Sequence, residues 1–336
     1  MVYFLIIIIS LLVLLKIAIL FYLTVGQAPL VKEIQWGVNF SQMHTEVLGL
    51  NWREVYLSLI KELGARHIKL HTQWDWVEGK RNEYYFEDID WQIKEAEKNG
   101  VKIIYVVGMK TGRWPECHLP LWAQGLSKEE QQREILEYIK EVVLRYKDSP
   151  ALLYWQVENE PFFKFGECPW QDLEFVKKEV ELVKSLDPTH PVIISDSGEQ
   201  SMWFKAAKIG DIVGTTMYRR VWVSLNEKIG FPFKFFLSPV FYWRKALLIE
   251  KFFDKKVICI ELQAEPWGSK LLYDLPLSEQ EKTMDLKKFQ ETIQYARRSG
   301  LDTFYLWGAE WWYWLKEKHQ KPEIWNEAKK LFKREI

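Results

Sequence analysis

Cysteine is scarce in this 336-residue chain: Cys117, Cys168 and Cys259 are too few for a disulfide scaffold and lack the spacing of a zinc site. Net charge is missing as well. Lys plus Arg total 46 and Asp plus Glu total 46, so bulk charge gives no reason to expect nucleic acid or an anionic polymer as a partner. Low-complexity tracts are absent, and so are internal repeats beyond an alternation of short apolar and longer amphipathic runs. The length suits one large core.

Apolar sequence, by contrast, is plentiful at the start. Val2 to Val25 is interrupted only by Ser10, Lys16 and Thr24, long enough to cross a bilayer as a helix. Lys16 is costly there unless it lies along a partner or snorkels to an interface. A cleaved signal peptide is the rival reading. The basic n-region is missing and Gln27-Ala28-Pro29 is a poor cleavage site, which favours an uncleaved signal anchor. Few charges flank the segment, so the positive-inside rule has little to act on. The expected organisation is a membrane anchor over residues 1–28 and one catalytic domain over 32–336.

From Lys32 onward the alternation reads as βα units. Strands are expected at Ile34–Phe40, His67–Thr72, Val101–Gly108, Ala151–Val157, Pro191–Ser195, Asp211–Met217, Lys256–Leu262 and Thr303–Trp307. Helical patterns lie between them at Asn51–Leu63, Glu87–Lys98, Lys128–Tyr146, Asp172–Leu186 and Glu281–Arg298, with Glu323–Lys333 closing the chain. Ser127 is placed to N-cap, and Gly64, Gly100 and Gly300 fall just past helix ends. Eight such units predict a (β/α)8 TIM barrel preceded by a transmembrane helix, with its site at the C-terminal ends of the strands.

Two of those ends deliver a glutamate. Trp155-Gln156-Val157-Glu158-Asn159-Glu160-Pro161 closes the fourth candidate strand and Val257-Ile258-Cys259-Ile260-Glu261 the seventh. Two carboxyl groups facing one cavity are the minimum equipment for cleaving a glycosidic bond, one protonating the leaving oxygen while the other, about 5 Å away, attacks the sugar carbon. The chain is also rich in rings, with 18 Trp, 15 Tyr and 19 Phe. Most are expected in the core; the rest offer flat faces that suit pyranose rings. After the sixth strand, Arg219 to Tyr242 forms a long aromatic connection, read as a loop over the barrel, a substrate lid or a surface touching the bilayer.

At these residues the chain resembles glycoside hydrolase clan A, the retaining (β/α)8 enzymes that include cellulase-like family 5 and the family 42 β-galactosidases. The resemblance spans Gln35 to Trp314. It implies that Asn159 binds the sugar 2-hydroxyl, that Glu160 is the acid/base and that Glu261 is the nucleophile. Trp36-Gly37-Val38-Asn39 is similar to the first strand of the clan, and Trp74-Asp75-Trp76-Val77-Glu78-Gly79, followed by Tyr85 to Asp90, to its second βα unit, with Trp74 a substrate-binding candidate. Tyr218 takes the position whose hydroxyl bonds the nucleophile, and Trp307 that of the aromatic platform under the sugar. Many clan members carry an arginine where this chain has Lys69; an ammonium still favours a neighbouring carboxylate's charged form but lacks the planar fork.

Glu265, in the loop after the seventh strand, is a second acidic candidate, and Glu158 a rival of Glu160. His71 and His118 offer substrate contacts or structural hydrogen bonds, Glu310 with Trp311 and Trp312 an outer sugar subsite or core, and Asp196-Ser197-Gly198-Glu199 a sugar-binding turn or an ordinary one. The expectation is therefore a retaining O-glycosyl hydrolase, anchored by its N-terminal helix and working outside the membrane on an oligo- or polysaccharide, with no metal or organic cofactor. A transglycosidase using the same residues and a non-catalytic carbohydrate-binding protein are the alternatives. Cys117 and Cys168, on loops after the third and fourth strands, are expected over one rim, where an oxidising compartment would allow a bridge.

Overall fold

A computed structural model describes residues 2–226 and 229–333. Residues 1, 227, 228 and 334–336, which fall inside the expected anchor, aromatic connection and catalytic domain, lie outside the described residues. The strands are β1 Gln35–Phe40, β2 His67–His71, β3 Lys102–Val107, β4 Leu152–Val157, β5 Val192–Asp196, β6 Ile212–Met217, β7 Arg220–Ser224, β8 Gly230–Lys234, β9 Val257–Gln263 and β10 Thr303–Trp307. Eight of them close a parallel barrel in the order β1-β10-β9-β6-β5-β4-β3-β2, and β7 pairs β8 in a separate antiparallel hairpin. The eight expected strands are the barrel strands, and the fold class read from the sequence is borne out.

The helices in chain order are α1 Val2–Thr24, α2 Gln42–Val47, α3 Trp52–Ser58, α4 Trp74–Val77, α5 Glu87–Lys98, α6 Lys128–Tyr146 and α7 Leu173–Leu186. They continue with α8 Phe204–Ile209, α9 Val240–Phe253, α10 Leu277–Gln280, α11 Leu286–Arg297, α12 Ala309–His319 and α13 Glu323–Phe332. Local chemistry sets several ends. Ser127 and Glu130 form a reciprocal capping box on α6. Asp285 accepts from the Lys288 N–H and starts α11 there, four residues after the expected Glu281. The helix expected over 51–63 ends as a π-helical turn at Leu59–Leu63, closed by Gly64 in the left-handed region at φ 87°.

Two cores hold the barrel. Outside, the strands pack against the helix ring; inside, Ile104, Ile193, Ile212, Ile258, Ile260 and Tyr305 fill the lumen. The outward faces of the strands are therefore apolar, and β3, β5, β6, β9 and β10 are apolar on the inward face as well over part of their length, as expected of parallel sheet. The connection after β6 is a hairpin rather than a loop. Pro232 sits opposite Trp222 in it, which a two-stranded ribbon tolerates because each strand has a free edge.

Most α1 side chains face outward, but its last turn is docked on α9. Leu23 is buried, Tyr22 lies 4.2 Å under the Arg244 guanidinium, and the Thr24 carbonyl accepts from Ser238 Oγ at 2.5 Å. The helix is 23 residues long, about 35 Å at 1.5 Å per residue, and so long and apolar enough to span a bilayer.

Candidate active site

Glu261 reaches the lumen through an irregularity in β9. Thr215 and Thr216 of β6 pair with Cys259 and Glu261, and Phe304 and Leu306 of β10 pair with Cys259 and Leu262, so β9 carries one residue more than either neighbour. Such a bulge shifts side-chain phase by one. Ile258 and Ile260 point into the lumen while Val257, Cys259 and Leu262 join the outer core. Glu261 follows Ile260 inward instead of facing the helices. Its Oε1 accepts from Lys69 Nζ at 3.0 Å and its Oε2 from Tyr218 OH at 2.9 Å. Burial lowers the Lys69 ammonium, and the Glu261 charge opposes that shift.

The second carboxyl is aimed by backbone strain. Glu158 and Glu160 have φ of 57° and 45°, conformations that cost an L residue roughly 1–3 kcal/mol and persist only where surrounding contacts impose them. The first turns Glu158 away: its carboxylate accepts from the Met109 and Lys110 N–H groups at 2.7 and 2.6 Å. The second presents Glu160 to the cup. Its N–H donates to Ser195 Oγ at 2.8 Å, its carbonyl accepts from Lys110 Nζ at 3.1 Å, and its Oε1 accepts from Thr216 Oγ1 at 3.2 Å. Burial, then the Glu261 charge, pushes the Glu160 carboxyl well above the usual range, against the pull of Lys110.

Around this pair the other expected residues assemble in part. Asn159 Oδ1 accepts from Gln156 Nε2 at 3.1 Å and Lys69 Nζ at 3.4 Å. His71 lies between the Thr111 carbonyl, 2.5 Å from Nδ1, and Asn39 Oδ1, 3.2 Å from Nε2; burial and Lys69 hold it well below its ordinary range. The Trp307 N–H donates to Glu265 Oε1 at 2.8 Å, and the Arg113 guanidinium lies 4.1 Å from its ring centre. Glu265 and Glu310 hold that guanidinium, at 2.5 and 3.1 Å, and Glu310 also accepts from the Ser41 N–H. Glu265 thereby orients Trp307 and Arg113 beside the cup.

Trp74 is not part of this arrangement. It is fully buried, its ring stacks on Tyr138 and its N–H is spent on Glu78, so a residue expected to face substrate is core. Trp311 and Trp312 are core as well, donating to Gln280 and to the Ala264 carbonyl. His118 faces the Gly112 carbonyl at 3.0 Å.

Two rim residues escaped the sequence reading, Arg113 and Glu116, and Glu199 was singled out only within a turn read as sugar-binding or ordinary. Burial pushes the Glu116 carboxyl up to about 7, relieved in part by Lys110 and raised further by Glu261. Glu199, also pushed up to about 7 by burial, accepts from the Tyr218 N–H at 2.7 Å and Tyr242 OH at 2.5 Å, and so props the tyrosine that bonds Glu261. Only glycine fits before it, because a Cβ at Gly198 would lie 1.8 Å from the Thr216 carbonyl oxygen. The one usable signal was the cysteine pair: Cys117 and Cys168 are bridged with Cα atoms 5.2 Å apart, tying the loop that carries Arg113 and Glu116 to the loop after Glu160. Chemically, the cup joins a carboxyl favoured in its protonated form to one held by an ammonium and a phenol, the division of labour that acid protonation and nucleophilic attack require.

Residues 52–226 match the family described as apiosidase-like, catalytic domain. Mannan endo-1,4-β-mannosidase F of Aspergillus clavatus is 34% identical over 116 residues, covering 33% of this chain and 26% of that protein. The chain thus matches about a quarter of the length of that curated relative. Among solved structures, the β-galactosidase of Rahnella sp. R3 superposes with a TM-score of 0.60 at 12% identity, covering 91% of this chain and 57% of that one. A GH5_18 protein of Bifidobacterium longum subsp. longum in complex with Manβ1-4GlcNAc superposes with a TM-score of 0.57 at 15% identity, covering 82% and 68%. At such identities these neighbours show the shared fold. The clan A resemblance is borne out by family and fold together.

Proposed function

The chain belongs to the family of apiosidase-like catalytic domains, and from that premise we propose that it hydrolyses β-linked O-glycosides with retention, Glu160 serving as acid/base and Glu261 as nucleophile. The observation that carries this reading is the unequal surroundings of the two carboxyls. Glu160 is driven toward its neutral form by burial and by the charge of its partner, whereas Glu261 accepts from Lys69 and Tyr218, donors that favour a carboxylate. In the first step Glu160 gives its proton to the leaving oxygen as Glu261 Oε bonds the anomeric carbon. Once Glu261 is esterified its charge is gone, the force raising the Glu160 carboxyl weakens, and Glu160 can take a proton from the attacking water. Asn159, held by Gln156 and Lys69, positions the sugar, and Trp307 sets its height.

Mannosides are the first substrates to test, because a curated relative is a β-1,4-mannosidase and a structural neighbour was solved with Manβ1-4GlcNAc. The domain works outside the membrane, held by residues 1–28 as an uncleaved anchor ahead of a catalytic domain over 32–336. The apolar α1 and the Cys117–Cys168 bridge, a bond of oxidising compartments, support this. Carbonate should leave the full chain in the membrane; its release would defeat the anchor.

The mechanism is tested by Glu160→Ala with an activated aryl β-glycoside. Such a leaving group needs little protonation, so Glu261 is still glycosylated while release of the sugar stalls without its base. Added azide then restores turnover as the β-glycosyl azide. An α-configured product, or an unimpaired variant, would overturn the assignment.

A further inference from the structure

A cavity of about 460 Å3 lies apart from the carboxylate cup, between the β7–β8 hairpin and α11. Five cationic side chains line it, Arg219, Arg220, Lys234, Lys287 and Arg298, against the single carboxylate of Glu291. Glu291 is already paired with Arg220. Arg219 stacks on Tyr295 at 3.7 Å. Among the described residues no carboxylate stands within ion-pair distance of Lys234, Lys287 or Arg298. So many uncompensated cations around one cavity repel each other unless an anion enters.

The position of the cavity identifies the anion. The Leu237 carbonyl accepts from both Arg219, at 3.2 Å, and Tyr295, at 2.8 Å, and the next residue, Ser238, donates to Thr24 at the end of α1. Beyond α11, two residues past Arg298, Gly300 sits against Ala28, where a Cβ would approach to 3.0 Å. The cavity wall is thus built on the segments that receive the chain as it leaves α1. The same hairpin and its exit carry Leu225, Ile229, Phe231 and Phe236 exposed, the last at 89%. Apolar side chains beside a basic cluster are the chemistry of an interfacial surface, and each Lys or Arg near an anionic leaflet adds to the attraction.

We propose that this cavity binds the phosphate of an anionic lipid in the leaflet where α1 ends, with the exposed apolar residues of the hairpin entering the interface beside it. The barrel would then be held at a set attitude by two attachments, the α1 span and the phosphate seat. This inference rests on the span proposed above, and the test separates the two.

The full chain is placed in nanodiscs of phosphatidylcholine alone or with phosphatidylglycerol, carrying a nitroxide at Phe231→Cys. Cys259 is buried and the other cysteines are bridged, so the label has one accessible thiol. The expected result is a several-fold rise in the oxygen-to-nickel accessibility ratio when phosphatidylglycerol is present, reversed by Lys234→Glu with Lys287→Glu. Lys287→Gln alone, at an exposed position of α11, serves if the double variant does not fold. A label in water in both discs, or equally deep in both, overturns the inference and leaves the span standing; a chain that enters neither disc overturns both. Inorganic phosphate bound by the same lysines in detergent, with no dependence on lipid, makes this a soluble-anion site and also overturns it.

Discussion

The lower lumen of the barrel holds Ile104, Ile193, Ile212, Ile258 and Ile260 with Tyr305. Higher along the strands the lumen holds Asn39, Lys69, Gln156, Thr216 and Glu261, none more than 2% exposed. Burial is equal in the two halves and its energetic sign is not. An isoleucine gains about 1.5–3 kcal/mol from leaving water, whereas an unpaired charge loses several. Most polar groups of the upper half are therefore answered: Lys69 by Glu261 and Asn159, Glu261 also by Tyr218, and the Gln156 amide nitrogen by Asn159 and the Glu158 carbonyl, while Gln156 Oε1 has no partner among the described residues. The hydrocarbon half supplies stability that the polar half spends on holding reactive groups in place.

Ile260 and Glu261, adjacent in sequence and on opposite sides of that division, allow it to be broken most directly. Glu261→Gln should lower kcat by several orders of magnitude on every glycoside, whatever the leaving group, and, because it leaves the buried Lys69 ammonium without its carboxylate, should also cost about 3–5 kcal/mol of stability. A variant that keeps its turnover would move the chemistry elsewhere. Lys69→Met leaves a buried carboxylate without its ammonium, so it should cost about 3–5 kcal/mol in denaturant titration. Ile260→Ala should cost about 2–5 kcal/mol of stability and leave the rate per folded molecule within a few-fold. A kcat loss matching that of Glu261→Gln would mean that the two halves are not separable.

Glu116→Gln sharpens the comparison by pH. Burial pushes this carboxyl up to about 7 from 4.5, so across that window the folded chain holds a proton the unfolded chain has released. Stability contributed by this site falls as pH rises through the window and is level above it. The variant should therefore melt higher than the parent at pH 8, by a few degrees, and differ little at pH 4. Equal differences at both would show that Glu116 is not the titrating group.

Much of this was legible beforehand. All eight barrel strands and the two glutamates that end the fourth and seventh follow from patterns in the chain, the contacts of Lys69 and Tyr218 with Glu261 were expected from the clan A resemblance, and the Cys117–Cys168 bridge was an open expectation that the loop geometry decided. Trp74 was not: an aromatic in a rim motif reads alike whether its ring faces a ligand or Tyr138. Arg113 and Glu116, and the role of Glu199 within its turn, were hidden because they lie on irregular loops with no periodicity, and their partners are remote in sequence, Glu265 and Glu310 for Arg113 and Tyr242 for Glu199. The β7–β8 hairpin was hidden by Pro232, which reads as a strand breaker but is harmless at a free edge.

By itself the sequence determined the period of the apolar runs, hence eight βα units, and the glutamates that end two of them. Local hydrogen bonds and apolar alternation act over a few residues and are written there. Only the tertiary structure decided which way those glutamates face. A strict alternation in β9 would send Glu261 outward after the inward Ile260; the extra residue that β6 and β10 impose on β9 turns it into the lumen. On β4 the left-handed backbone at Glu158 and Glu160, held by Met109, Lys110 and Ser195, sends the first away and the second into the cup. Phase and strain of that kind arise from neighbouring strands and loops, so they exist only once the barrel has closed.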